Sequence, residues 1–179
     1  MSDPAEIKNI EKYPLIIRVL HAVIALLMIV MITLGWYLSE MDYQDLGFGS
    51  LMAIHRTIGL SLFPLGLAHL LAYAFLPRPE LASGLKPWER ALAKLVHMFL
   101  LYVVVAIPVA GYLMSGNKLV IVGDITVPAL IELTKDIRKT LFDVHETLAW
   151  TAAAVIGLHA IAALKHHFID KDDTLKKML

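Results

Sequence analysis

The chain has 179 residues, 58% of them hydrophobic and only 18% charged, with a mean hydropathy of +0.68. A soluble domain of this size carries about 25% charge. Lys+Arg and Asp+Glu are 16 each and Cys is 0, which excludes a generally basic nucleic-acid binder, disulfides, thiolate chemistry, Cys-ligated zinc and iron–sulfur clusters.

The charges avoid four stretches, 19–39, 57–77, 95–117 and 147–164. Each is close to the roughly 20 residues that cross about 30 Å of hydrocarbon, so the sequence predicts a single integral membrane domain over 1–179. The charged start, the span-length first window and the lack of a small-residue cleavage site predict no cleavable signal peptide. Helix 1 is expected at about 13–38, entering after Pro14. Helix 2 is expected at 51–76, stopped by the prolines at 77 and 79. Helix 3 should run over 88–115 with a kink near Pro108 and Gly111, and helix 4 over 142–168. Between the last two, Pro128 and the apolar residues after it predict a short surface helix around 128–138.

Orientation follows from Lys and Arg. The side carrying 1–18, the 77–94 loop and the tail from Lys165 holds eleven of them, and the other side holds five, so both termini are expected in the cytoplasm of a bacterial inner membrane.

Eight histidines stand out: His21, His55, His69, His97, His145, His159, His166 and His167. Six lie in or at the mouths of the spans, where ionisable side chains are costly and face the bundle interior. Interhelical hydrogen bonding explains one such residue well and six poorly. His55 and His69 are 14 apart, as are His145 and His159, so each pair shares a helix face within about 40° and spans about 21 Å. Sorted by depth, His55 and His145 form an outer layer, while His21, His69, His97 and His159 form an inner one. Two facing imidazoles with no third polar ligand suit haem iron, which accepts histidine on both faces, and not catalytic zinc, which takes three protein ligands. Non-haem di-iron is disfavoured because the spans lack the ExxH motifs and clustered carboxylates it uses. Two stacked haems use the spacing. Geometry leaves the inner pair open: His21 with His159 is one choice, and His69 or His97 could also serve.

The segments RVLHAVIALLMIVMITLGWYL, HRTIGLSLFPLGLAHLL and KLVHMFLLYVVVAIPVAGYLMSG, and above all the run HETLAW...GLHAIAALKHHF...KDDTL, resemble the bacterial cytochrome b561 family over the whole chain. Within it they are similar to the small di-haem, quinone-linked type. The resemblance implies an all-α, four-helix transmembrane bundle with haems packed between the helices. It assigns His21 and His159 to a cytoplasmic-side haem b and His55 and His145 to a periplasmic-side haem b. It also implies that His97 is not a ligand. His69 stands where the family often has an arginine thought to meet a haem propionate, which suggests a propionate or supporting role. Ala22 stands where the family usually has tryptophan, removing an aromatic wall from the inner pocket.

Arg18, one turn before His21, and Arg56, next to His55, are placed to pair with propionates, with interfacial snorkelling as the plainer reading. Lys118 is a further propionate candidate. Gly59, one turn from His55, offers bare backbone for a haem to lie against, although plain helix packing explains a glycine equally well. His166 lies seven residues beyond His159, and the AALKHHF segment resembles the family's quinone site, so His166 is the candidate quinone contact. The expected activity is one-electron transfer through two haems, exchanging electrons with ubiquinone and the quinone pool, with a periplasmic donor or acceptor on the other side. The alternative is a superoxide oxidase, that is, a superoxide:ubiquinone oxidoreductase. The outer segment 40–53, with three acids and no base, argues against steering an anion. A non-redox transport or structural bundle is the further alternative.

Overall fold

The computed structural model describes residues 11–80, 85–116 and 118–179. The first ten residues, 81–84 of the predicted 77–94 loop, and Asn117 lie outside the described residues. Four helices are long and apolar enough to cross a membrane: α1 (Leu15–Glu40), α2 (Phe48–Phe75), α3 (Pro87–Met114) and α4 (Lys135–Lys165). α4 continues into one π-helical turn, His166–Asp170. The starts follow local chemistry. Pro14 precedes α1, a left-handed Gly47 (φ 90°) precedes α2, and Pro87 opens α3. The Thr134 side chain accepts from the Ile137 amide at the start of α4.

The segment before α4 departs from the expectation. Instead of a surface helix at 128–138, β1 (Lys118–Val120) and β2 (Thr126–Pro128) form an antiparallel hairpin, with Leu119 opposite Val127. Gly123 and Asp124, both at positive φ, turn it. Pro128 ends an edge strand, where its missing N–H costs no ladder bond. The Tyr112 hydroxyl donates to the Pro128 carbonyl (2.6 Å) and accepts from the Leu130 amide (2.9 Å). The Val122 amide donates to Thr57 Oγ1 (3.1 Å), and Leu119 is buried beneath the hairpin. Leu130 and Ile131, read as part of a helix face, are exposed instead, and α4 starts at Lys135, before the predicted 142, so that only 135–138 of the expected surface helix is helical.

Neighbouring helices pack in chain order: α1 on α2, α2 on α3, α3 on α4. By contrast, α1 and α4 touch sparingly. The outward faces carry exposed Leu26, Ile29, Leu158 and Ile161, as expected where lipid replaces water. Pro108 cannot bond to the carbonyl of Val104, four residues back, yet α3 runs through it. Gly66 of α2 lies against that carbonyl: a Cβ there would stand 3.1 Å from Val104 O and 3.0 Å from its Cγ1. Glycine lets the two backbones close at this point.

The interior is layered in steps of seven residues, the spacing that keeps one face of a helix turned inward. On α1 the steps read His21, Met28, Gly35; on α2, His55, Leu62, His69; on α3, His97, Val104, Gly111; on α4, His145, Ala152, His159. Met28, Leu62, Val104 and Ala152 are all buried and, with Ile24 and Val103, form the central hydrophobic cluster. One histidine layer lies on each side of it, one toward the tail and one toward the hairpin. The tail-end depth thus holds four histidines and the hairpin-end depth two histidines and two glycines.

Candidate functional site

At the hairpin end, His55 of α2 and His145 of α4 face each other with ring centres 6.3 Å apart and planes at 66°. The other two corners of this layer are glycines. A Cβ on Gly35 would meet His55 Cε1 at 3.4 Å, and one on Gly111 would meet His145 Cε1 at 3.1 Å and Nδ1 at 3.2 Å. His145 Nδ1 lies 3.0 Å from the Ile107 carbonyl. A carbonyl only accepts, so Nδ1 carries the proton and Nε2 is left with its lone pair. His55 Nδ1 is buried and has no hydrogen-bond partner among the described residues.

At the tail end all four helices contribute a histidine. His21 lies 6.4 Å from His159 and 6.2 Å from His69, and His97 lies 5.5 Å from His159, all ring centre to ring centre. His69 is the buried one of the four.

These separations test which group the layers can hold. A metal–imidazole bond is about 2.0 Å, and a little over 1 Å more reaches the ring centre, so two imidazoles trans across one metal have centres about 6.3 Å apart. The His55–His145 pair and both His21 pairs fit; His97–His159 is too short. The donor set also fits a flat macrocycle, since imidazoles arrive from opposite sides with no carboxylate among the facing groups. By separation alone His21 has two partners, so the tail-end pair is not decided by distance.

The remaining candidates fall as follows. The Arg18 guanidinium donates to the Leu179 carbonyl, and its Nε is buried without a partner among the described residues. Arg56 follows His55 on α2, and Lys118 opens β1 with an exposed side chain. The space beside Gly59 faces the Met31 methyl, 3.5 Å from a Cβ built there, so the bare backbone touching the histidine rings comes from Gly35 and Gly111. Both are legible in the sequence as small residues that let a flat group or another helix approach closely, and each lies 14 residues from a histidine of its own helix, as His69 lies from His55.

His166 lies one seven-residue step beyond His159, in the π-helical turn, a device that often marks functional positions. Lys171 at φ 54° then turns the chain back, so that Asp172 bonds His166 Nδ1 at 2.7 Å and Asp170 approaches it at 3.1 Å. Asp170 also pairs with Lys165 at 2.7 Å. Partial burial alone would raise the Asp172 pKa. The bonds it accepts from Thr174 and His166 outweigh this and hold it below the ordinary 3.8. The tail folds back across the bundle end: Tyr13 N donates to Lys177 O, and Lys177 Nζ donates to Glu80 O. On the exposed face of this helix end an apolar groove of about 280 Å³ is lined by Ile161, Leu164, Lys165, Phe168 and Ile169.

The profile of the prokaryotic cytochrome b561 family matches residues 12–179. The chain is 31% identical over 172 residues to cytochrome b561 homolog 2 of Escherichia coli (strain K12), covering 94% of this chain and 92% of that protein. It is 30% identical over 129 residues to the probable superoxide oxidase CybB of Yersinia pestis, covering 70% and 73%. Cytochrome b561 homolog 1 of E. coli (strain K12) is 28% identical over 128 residues, covering 70% and 72%. The chain belongs to the prokaryotic cytochrome b561 family and is a multi-pass membrane redox protein.

Proposed function

We propose that this cytochrome holds two haems b, one in each histidine layer, and passes electrons across the bacterial inner membrane in exchange with ubiquinone. The observation that carries the proposal is the pair of layers whose ring separations, 6.3 Å for His55–His145 and 6.4 Å for His21–His159, each suit one six-coordinate iron. Bound haem would supply reversible one-electron chemistry, which the protein's own side chains lack. Of the two tail-end choices, His21–His159 is preferred because α4 then supplies one ligand to each layer from a single inward face. The hairpin end is assigned to the periplasm and the tail end to the cytoplasm, on the Lys and Arg bias.

The chain's own contributions are positional. The imidazoles of the outer pair are set against glycine backbones, which fixes where their Nε2 atoms point. The layer of Met28, Leu62, Val104 and Ala152 keeps water from running between the two sites. At the tail end, the quinone headgroup is assigned to His166 and its prenyl chain to the apolar groove on the exposed face of the same helix end. Asp172 accepts from His166 Nδ1, so Nε2 donates to a quinone carbonyl, and hands on a proton, only when the ring is doubly protonated, a form the carboxylate on Nδ1 favours. Arg18 and Arg56 are the candidate propionate partners.

Stopped-flow mixing of reduced protein with ubiquinone tests this. Rapid reoxidation that slows in His166→Ala while both haem spectra persist supports the assignment; equal rates move the quinone site elsewhere. A second function, superoxide oxidation at the hairpin end, is favoured by the Yersinia pestis relative. A superoxide flux that reduces the oxidised protein and yields quinol would establish it. Reduction only by quinol or an added donor protein would leave a passive electron carrier.

A further inference from the structure

We propose that Gly111 is a positioning residue for His145, and that it makes the two imidazoles of the hairpin-end pair chemically unequal. This rests on reading His55 and His145 as the ligands of one haem. In an α-helix, the residue four positions after a carbonyl bonds it through its N–H, and side chains along that turn crowd the remaining lone pair. Gly111 stands four residues after Ile107 and has no side chain. The Ile107 carbonyl is thereby left open on the side facing α4, and His145 Nδ1 reaches it at 3.0 Å.

The clearance is small. A methyl group on residue 111 would sit 3.2 Å from Nδ1 and 3.1 Å from Cε1, closer than carbon atoms normally approach, and both are atoms of the ring edge that makes the hydrogen bond. The ring would have to back away from α3, and the bond to Ile107 would be lost or lengthened.

His55 is different. Its ring also rests on a glycine, but a Cβ on Gly35 would stand at ordinary contact, 3.4 Å from Cε1 and 3.9 Å from Nδ1. That Nδ1 has no hydrogen-bond acceptor among the described residues. One ligand therefore has its outer nitrogen held as a hydrogen-bond donor and the other does not. Donation from Nδ1 pushes electron density toward Nε2 and favours oxidised iron, which lowers the midpoint potential. Gly111 thus tunes the hairpin-end haem through a bond it does not itself make.

The test is a redox titration of full-length wild type, Gly111→Ala and Gly35→Ala, with haem content and low-spin paramagnetic resonance measured on the same samples. The expected result is two haems in all three, with the hairpin-end potential of Gly111→Ala shifted upward and its resonance changed. The tail-end potential should stay fixed, and Gly35→Ala should leave both potentials in place. Equal shifts for the two glycine variants, or none for Gly111→Ala, would overturn the proposal. If Gly111→Ala does not accumulate, pulsed resonance on the wild type decides: the outer ring nitrogens of the hairpin-end ligands should give two different nitrogen couplings, and a single coupling overturns the inference. A wild type without a hairpin-end haem would instead defeat the ligand assignment beneath it.

Discussion

Gly66 of α2 and Val104 of α3 meet backbone to backbone, at the carbonyl that Pro108 leaves without its helical partner. A Cβ on residue 66 would stand 3.0 Å from Val104 Cγ1, 3.1 Å from its oxygen and 3.3 Å from its carbonyl carbon, and the backbone atoms cannot swing aside. Gly66→Ala should therefore destabilise the bundle by about 1–3 kcal/mol, the usual cost of overpacking. Gly157→Ala, which meets nothing within 4 Å, should not. Thermal unfolding of the two variants in the same detergent checks the difference.

Ligand loss should be specific to one layer. His55→Ala or His145→Ala is expected to reduce haem from two per chain to one by removing the hairpin-end site, and His21→Ala or His159→Ala by removing the tail-end site. His69→Ala and His97→Ala should keep both. The ratio of haem to protein after extraction reads this directly. If His69→Ala lost a haem while His159→Ala did not, the partner of His21 would be His69, which lies at nearly the same distance.

Asp172→Asn should slow quinone-linked reoxidation about tenfold without changing either haem spectrum, because the amide no longer fixes the His166 ring as a charged carboxylate does. Folding lowers the Asp172 pKa below 3.8, so its contribution to tail docking is fully present above that pH and is lost as pH falls through the lower, folded value. Protease sensitivity of the tail should accordingly stay flat from about pH 8 to pH 5 and rise only in stronger acid.

Tyr112→Phe removes the hydroxyl that takes the Leu130 amide and serves the Pro128 carbonyl. The hairpin should loosen by about 0.5–1.5 kcal/mol, read as faster amide exchange over 118–130 with exchange in α3 unchanged.

A reporter fused after Leu179 should behave as cytoplasmic and one inserted at Gly123 as periplasmic. The opposite pattern would exchange the compartments of the two histidine layers.

Much of this was legible in the chain because hydrocarbon imposes simple rules. Uncharged windows marked the four helices, and equal intervals between histidines on α2 and α4 marked two depths. Gly35 and Gly111 are legible as small residues that admit a close neighbour, but a glycine advertises no chemistry that says which neighbour it is. Their role shows only when α1 and α3 are stepped by sevens from His21 and His97 and set beside the histidine helices. The hairpin was misread because VPALIEL has the spacing of a helix face. Val127 and Pro128 instead belong to a small strand pairing, and Tyr112 and Thr57, partners distant in sequence, hold the backbone of the hairpin segment. The inner pair was ambiguous in sequence and stays so by distance, since His21 sits between two imidazoles.

The middle layer carries a consequence for energetics. Met28, Leu62, Val104 and Ala152 offer no group that can bind or relay a proton, and they stand between the two histidine layers. If the two layers hold haems as proposed, an electron passing from one to the other would cross this level without a compensating proton, and each transfer would move net charge through the dielectric. A unit charge carried across the full membrane works against, or gains, about 2.3 kcal/mol per 100 mV of membrane potential. Turnover should therefore respond to voltage as well as to substrate: an energised membrane, negative inside, would resist electrons moving toward the tail end and assist their return.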